Sequence, residues 1–288
     1  MPTLFDPVHI GAWSLPNRII FAPLTRARAG AERIPNALMA EYYAQRAAVG
    51  LIISEATSVT PMGVGYAETP GIWSSAQVDG WKLITESVHK AGGRMVLQLW
   101  HVGRISDPQF LNGALPVAPS AIAAAGHVSL VRPLKSFVTP RALGFEEIPG
   151  IIEAYRVGMH LAPRGDAHDM GDSNPLATFE YVARELGKRR IAFICARESL
   201  GDNRIGPQLK AAFGGSYIAN EGFTQATANQ VLAAGEADAV AFGVPLLANP
   251  DLPARFRQNA ALNTPDQSTF YAAGPKGYTD YPVLQQTA

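Results

Sequence analysis

Trp81-Lys-Leu-Ile84-Thr-Glu-Ser-Val88-His-Lys-Ala-Gly92-Gly93-Arg94-Met-Val-Leu-Gln98-Leu-Trp100 is the stretch that decides the fold. Trp81, Ile84 and Val88 fall at helical spacing, Gly92-Gly93 supplies a stop, and Arg94 to Trp100 is a short, nearly continuous apolar run. A helix feeding directly into a strand that is apolar on both faces is the unit of a parallel sheet, whose strands are covered on both sides. Working outward, the same kind of run recurs at Asn17 to Leu24, Gly50 to Ala56, Val157 to Pro163, Ile191 to Glu198, Tyr217 to Asn220 and Ala239 to Gly243. Between them, Asn174-Pro175 opens a helix carrying Phe179, Val182 and Leu186, Thr224 caps one that ends near Gly235, and Asn249-Pro250 opens another. The chain therefore reads as α/β, a single domain over residues 1–288. A TIM (β/α)8-type barrel fits best, because the Gly-x-Gly-x-x-Gly turn of a doubly wound sheet and the Walker loop are both missing from the sequence. Val8-His-Ile-Gly-Ala-Trp13, ahead of the first buried strand, is expected as a hairpin closing the barrel floor.

One stretch breaks the rhythm. Glu147-Ile-Pro149-Gly-Ile-Ile-Glu-Ala-Tyr155-Arg156 begins as a helix, with Pro149 suited to its first turn, and runs straight into Val157-Gly-Met-His-Leu-Ala-Pro163 with no stop signal between them. A crossover between parallel strands takes roughly 10 to 12 residues plus loops of about 2 to 6, and this segment has room for about eight helical residues and almost no return loop. One βα unit is missing, so seven strands are expected where the architecture calls for eight. Side-chain layers in such barrels draw on alternate strands, so the wall near Arg156-Val157 is predicted to be distorted or capped by a second copy of the chain.

With 288 residues, 47% of them apolar, the chain can bury one large core, which excludes a disordered tail or a disulfide-stapled miniprotein. Lys plus Arg number 24 and Asp plus Glu number 24, so the footprint of a nucleic-acid or anionic-membrane binder is lacking, and small molecules are the expected partners. The single cysteine, Cys195, lies in an apolar run, which fits a reducing cytosol and excludes a disulfide framework or cysteine metal site. Met1-Pro-Thr-Leu-Phe-Asp-Pro lacks the pattern of a signal peptide, and no run approaches the ~18 apolar residues of a membrane span. A cytoplasmic protein is the expectation.

In barrel enzymes the chemistry sits at the C-terminal ends of the strands. Here those ends read Phe21-Ala-Pro-Leu-Thr25-Arg26, Ser54-Glu-Ala56-Thr57 and Val96-Leu-Gln98-Leu-Trp100-His101-Val-Gly103-Arg104. Together with Asn17-Arg18, Gly65-Tyr66, Ala118-Pro119-Ser120, Ala248-Asn249-Pro250-Asp251-Leu252 and Phe270-Tyr271 through Gly277-Tyr278-Thr279-Asp280-Tyr281-Pro282, they resemble the Old Yellow Enzyme family of FMN-dependent NAD(P)H:flavin oxidoreductases, the ene-reductases. The N-ethylmaleimide reductase branch is the most similar. The likeness runs collinearly from Leu4 to Pro282, interrupted only at Arg156-Val157.

The resemblance implies FMN across the barrel mouth and NAD(P)H as reductant. Ala22, Pro23, Leu24 and Thr25 would run under the flavin ring, with the Thr25 hydroxyl donating to O4. Gln98 would match the pyrimidine edge, a task suited to an amide, and Ala56 would keep the ring edge clear. Backbone groups of Asn220, Glu221, Gly222 and Phe223, and of Phe242, Gly243 and Val244, would hold the phosphate. Tyr66, Trp100 and Tyr271 would wall the substrate side. Judged by residue type alone, Thr25 reads as a local hydrogen-bonder, Gln98 as a buried structural amide, and the three aromatics as core or rim.

Three departures from the family pattern bear on activity. His160 stands where the family places an Arg facing flavin N1 and the C2 carbonyl, and a neutral imidazole supports negative charge there less well. Val244 stands where the family often has an Arg on the phosphate. The segment missing at Arg156-Val157 is the one on which the family carries its fourth strand, with the His and Asn (or His, His) pair that grips substrate and the Tyr that donates a proton. Two readings stay open: an ene-reductase with impaired activity, and a shortened FMN-binding relative without turnover. A Schiff-base or metal-dependent lyase is disfavoured because no Lys ends a candidate strand. The loop Arg164-Gly-Asp166-Ala-His168-Asp169-Met-Gly-Asp172-Ser matches no established metal-binding spacing and is expected as a lid, so no metal site is assigned.

Overall fold

The computed structural model describes residues 1–147, 158–165, 168 and 171–285. The chain opens with an antiparallel hairpin of β1 (Val8–Ile10) and β2 (Trp13–Leu15), then runs through β3 (Ile19–Phe21), α1 (Ala37–Ala44), β4 (Leu51–Ser58), α2 (Ser75–Lys90) and β5 (Met95–Trp100). A long insert carries the two-residue strands β6 (Val117–Ala118) and β7 (Arg141–Ala142). There follow β8 (Met159–Leu161), α3 (Pro175–Lys188), β9 (Phe193–Arg197), α4 (Gly206–Phe213), β10 (Ser216–Asn220), α5 (Gln225–Ala233), β11 (Ala239–Phe242), α6 (Val244–Ala248) and α7 (Leu252–Gln258).

Seven strands form one sheet in the order β5-β4-β3-β11-β10-β9-β8, with every neighbouring pair parallel. Because the last strand, β11, pairs with the first, β3, through Val240 and Ile19, the sheet curls round into a barrel wall. The chain therefore has the α/β barrel architecture read from the sequence, with each of the seven predicted runs containing or overlapping a strand.

The wall encloses one apolar core and is wrapped by another. Inside, Ile20, Leu51, Ile53, Cys195, Ile218 and Ala239 meet Val8, Ile10 and Leu15 of the hairpin, which plugs the floor. Gly11 makes that turn at φ +57°, and a Cβ there would come within 2.8 Å of the Ala192 Cβ. Outside, Ile19, Phe21, Ile52, Ala219 and Val240 point the opposite way, toward Trp81, Ile84 and Val88 of α2 and Leu209 of α4. Alternation along each strand thus feeds both layers.

The helix ends follow local chemistry. Ser74 and Gln77 form a reciprocal capping box on α2, Thr224 and Thr227 do the same on α5, and Asn174 caps α3 with Pro175 in its first turn. Asn249-Pro250 does not open a helix as predicted; α7 starts at Leu252. Asn249 is instead buried, donating to the Pro245 carbonyl and accepting from the Asn263 N–H. The strand predicted over Asn17 to Leu24 is confined to Ile19–Phe21, since Asn17 turns its amide back onto Ala48 and Ile19, and Pro23 has no N–H to pair.

Among the described residues the wall does not close: β5 and β8 share no backbone pairing. The expectation that Arg94 to Trp100 is buried on both faces is corrected accordingly: all six residues of β5 are partly exposed, and among the described residues no strand covers that edge. The junction at Arg156-Val157 and most of the helix predicted ahead of it lie outside the described residues, as do Asp166, Ala167, Asp169 and Met170 of the predicted lid. Among the described residues no helix is long and apolar enough to cross a membrane.

The insert after β5 builds a small third core from Val102, Ile105, Ala124, Val128 and Phe137, with Tyr66 and Trp100 packed against it. Buried Asp107, paired with Lys135 at 2.6 Å, ties its two arms together. This packing holds residues His127 to Leu134 over the barrel mouth.

Candidate functional site

A cavity of about 1020 Å³ opens where the C-terminal ends of the central strands converge. From β3 come Ala22, Pro23, Leu24 and Thr25. His160 comes from β8, Arg197 from β9, Asn220 to Phe223 from the end of β10, and Ala241 to Pro245 from the end of β11. Tyr66 and Tyr271 stand at its sides, and the insert supplies His127 to Leu130, Arg132 and Leu134 above it. Its size lies at the upper end of the ~300–1,000 Å³ range of small-molecule pockets.

The predicted residues Ala22, Pro23, Leu24, Thr25, His160, Asn220, Glu221, Gly222, Phe242, Gly243, Val244, Tyr66 and Tyr271 all line this one cavity. Gln98 and Trp100 do not. They line a neighbouring groove of about 460 Å³ between β5 and β8, which also includes Ile53, Met159, Phe193 and Cys195. His160 belongs to both spaces and joins them, since its Nδ1 lies 3.2 Å from Gln98 Nε2. Tyr66 and Trp100 make a second link, stacked at 5.3 Å between ring centres. Ala56 is buried beside Gln98 in the β4–β5 register and lines neither space.

The protonation of His160 follows from its surroundings. Burial, reinforced by the positive charge of Arg197, pushes its pKa down to about 4, so the ring is neutral at physiological pH. With the Gln98 amide donating to Nδ1, the proton resides on Nε2. That Nε2 is buried and has no hydrogen-bond partner among the described residues. A buried unpaired donor is costly, and an acceptor placed in the adjoining cavity would relieve that cost.

Residues behind the cavity fix its floor. The buried Glu55 carboxylate accepts from the N–H groups of Arg26 and Ala27 at 3.1 and 3.3 Å, setting the course of the chain just after Thr25. Burial raises the pKa of Glu55, opposed by those two N–H groups. The Arg26 guanidinium donates to the carbonyls of Phe270 and Gly277 and to the Tyr42 hydroxyl, and Arg28 donates to those of Thr269 and Gly274. Two arginines beside the β3 end thereby hold the C-terminal segment that carries Tyr271. Among the described residues the Thr25 hydroxyl has no side-chain hydrogen bond, leaving it free for a ligand.

Sequence reasoning missed Arg197, Arg132 and His127. Arg197 had a usable signal, because it ends an apolar run that the pattern already marks as a strand. The residues of the insert had none, since only tertiary packing brings them over the mouth. Among the described residues no three His, Cys, Asp or Glu side chains gather as a metal would require.

A parallel barrel with a cofactor-sized cavity at its strand ends defines the class: an α/β barrel protein with a small-molecule site at its mouth. The profile of the NADH:flavin oxidoreductase / NADH oxidase family matches residues 3–170. Among relatives, 12-oxophytodienoate reductase 1 of Oryza sativa is 33% identical over 98% of this chain and 93% of its own length. 12-oxophytodienoate reductase 2 of Arabidopsis thaliana is 32% identical over 99% and 96%. The structure of the old yellow enzyme homologue from Zymomonas mobilis superposes with a TM-score of 0.94 at 35% identity, covering 98% of this chain and 100% of that one. Morphinone reductase in complex with tetrahydroNAD gives 0.93 at 38% identity, covering 99% of both chains. The chain belongs to the NADH:flavin oxidoreductase / NADH oxidase family, the Old Yellow Enzyme family of FMN-dependent oxidoreductases. The alignment with the rice protein runs over 365 positions against 288 residues here, so a sizeable share of its positions has no counterpart in this chain.

FMN is the cofactor of this family, and the residues present fit it on two observations of the site. The cavity is large enough for it, and the orphaned His160 Nε2 donor needs an acceptor of the kind a flavin edge offers.

Proposed function

We propose that this chain, one domain over residues 1–288, takes reducing equivalents from NADPH and passes them to electron-poor alkenes such as enones, maleimides and nitro compounds, with slow turnover. When bound, FMN supplies the hydride relay between the nicotinamide and the alkene. The protein's own residues bind and orient. Ala22 to Leu24 would form a floor for the ring, and the Thr25 hydroxyl would donate to its C4 carbonyl. His160 Nε2 would donate to the N1 and C2 carbonyl side of the same pyrimidine ring, steadied by Gln98 behind it, while Ala56 would keep the strand end small. Backbone groups of Asn220 to Phe223 and Phe242 to Val244 receive the phosphate. Tyr66, backed by the Trp100 ring stacked on it, and Tyr271 would exclude water on the substrate side.

The observation that carries this reading is the convergence of the β3, β8, β10 and β11 ends on one cavity that also contains an unsatisfied buried donor. Slow turnover follows from the missing βα unit. The family's His and Asn pair and its Tyr acid reside on that unit, and losing one oxyanion-type donor commonly costs about 10²- to 10³-fold in rate. The open edge between β5 and β8 favours a second reading, in which the chain binds FMN without turnover. A second copy is proposed to cover that edge. A reducing, cytoplasmic setting is supported by Cys195, which is buried and unpaired.

The experiment is a visible spectrum of the purified protein, followed by anaerobic addition of NADPH and then of N-ethylmaleimide or cyclohexenone. A yellow protein that bleaches with NADPH and recovers its colour slowly with the alkene meets the first reading. Bleaching without recovery selects the second. A protein that stays colourless in added FMN ends both.

A further inference from the structure

Arg197 is the last residue of β9, and its register partner is Asn220, the last residue of β10. Its guanidinium grips the carboxylate of the next residue along, Glu221, through Nε at 3.2 Å and Nη2 at 3.0 Å. Glu221 has a φ of +89° and Gly222 one of +80°, so the chain makes a left-handed turn at the lip of the cavity. A non-glycine residue at such a φ is uncommon and is maintained where its surroundings demand it. Here the turn brings the Glu221 carboxylate back over the end of β9.

The charges around the cavity are few. Among its described lining residues only Arg132, Arg197 and Glu221 carry a permanent charge. Arg132 belongs to the insert and spends a donor on the adjacent Val131 carbonyl. Val244, at the end of β11, offers only its backbone, and His160 is neutral. A carboxylate beside a site for a dianionic phosphate ester is a like-charge conflict unless a cation stands between them. Arg197 is that cation, and a guanidinium engaged through Nε and one terminal nitrogen still has N–H groups on the other to give.

We propose that Arg197 is the side chain that anchors the phosphate of FMN, and that Glu221 is an internal anion that occupies the guanidinium until the phosphate competes for it. This rests on the flavin reading above and adds to it the source of the positive charge. The pair sits on the rim, with side chains 59% and 36% exposed, so its two partners can exchange without opening the core.

The test compares FMN with riboflavin, which has the same ring and ribityl chain and no phosphate, by quenching of flavin fluorescence on the flavin-free protein. Arg197→Gln is expected to weaken FMN binding roughly tenfold and leave riboflavin binding unchanged. Arg197→Lys, which keeps the charge and loses the planar fork, is expected to fall between. Glu221→Gln is expected to tighten FMN several-fold without effect on riboflavin. A wild-type ratio of FMN to riboflavin affinity in Arg197→Gln overturns the proposal, as does an equal loss of both ligands. Weaker FMN binding in Glu221→Gln overturns the role given to that carboxylate. Failure of the unaltered protein to bind either flavin is a different result, and it sinks the flavin reading itself along with this inference.

Discussion

Gln98 Nε2 stands 3.2 Å from His160 Nδ1, a side-chain bridge between β5 and β8, the two strands whose backbones do not pair. The bridge exists only while Nδ1 is an acceptor, and burial together with the Arg197 charge lowers the pKa of His160 from 6.5 to about 4. As pH falls below 6.5 the unfolded chain takes up a proton that the folded chain refuses. Stability is therefore full above 6.5, declines as pH drops toward 4, and loses no more to this group below that. The whole effect is on the order of 3 kcal/mol. Urea unfolding at a series of pH values should show the decline in the wild type and a flatter profile in His160→Gln. Parallel profiles would mean that His160 is solvated and charged.

Arg26 is fully buried, and its guanidinium satisfies the Phe270 and Gly277 carbonyls and the Tyr42 hydroxyl while lying 4.8 Å from the Tyr278 ring centre. Arg26→Ala leaves the Gly277 carbonyl and the Tyr42 hydroxyl without this donor, and the Phe270 carbonyl with only the longer bond from Arg28 at 3.3 Å. The expected loss is about 3 kcal/mol or more in chemical denaturation. Because the same carbonyls belong to the segment bearing Tyr271, the variant should also become easier to cleave by protease between Thr269 and Gly277. A loss under about 1 kcal/mol would show that water replaces the guanidinium at little cost.

The central strands were legible because they are buried on both faces, and a run such as Ala239 to Phe242 has no polar residue to suggest anything else. α1 was not legible. Met39, Ala40, Tyr42 and Tyr43 are all buried, so the segment lacks the polar stripe that marks a helix, and its Tyr pair is explained only by Phe21 and Tyr278 packed against it. Short α4 and α6 gave too few turns for a period to emerge. Along the candidate site, sequence marked which strand ends matter but not how they meet. Gln98 and Trp100 sit on the last strand before the gap, and their separation from the main cavity follows from the absent neighbour, which no local pattern encodes. In the sequence Arg197 is only a charge at the end of an apolar run, because its partner Glu221 lies 24 residues further on.

Among the described residues β5 and β8 each have an unpaired edge, which predicts self-association. An unpaired strand edge is a template for pairing, and natural proteins commonly block such edges with a lysine. Leu99 lines the groove between the two strands and is partly exposed. Sedimentation velocity of the wild type should show a population of dimer or larger that grows with concentration, and Leu99→Lys should shift it toward monomer while changing stability by about 1 kcal/mol or less. A wild type that stays monomeric at high concentration would mean that the groove is closed by the chain itself.

Cys195 is the natural reporter of that same groove. It is fully buried yet lies among the residues lining the space between β5 and β8, and burial pushes its thiol up to about 12. The thiolate is the nucleophile, so at neutral pH only about one molecule in 10⁵ would be reactive even if maleimide could reach it. Intact-mass measurement after incubation with N-ethylmaleimide should show no adduct on the native protein and one adduct after denaturation in guanidinium. That outcome also means that N-ethylmaleimide consumed by the native protein with NADPH is being reduced and not captured by the thiol. An adduct on the native protein would show instead that the wall opens as far as β9, and its rate of appearance would measure how often.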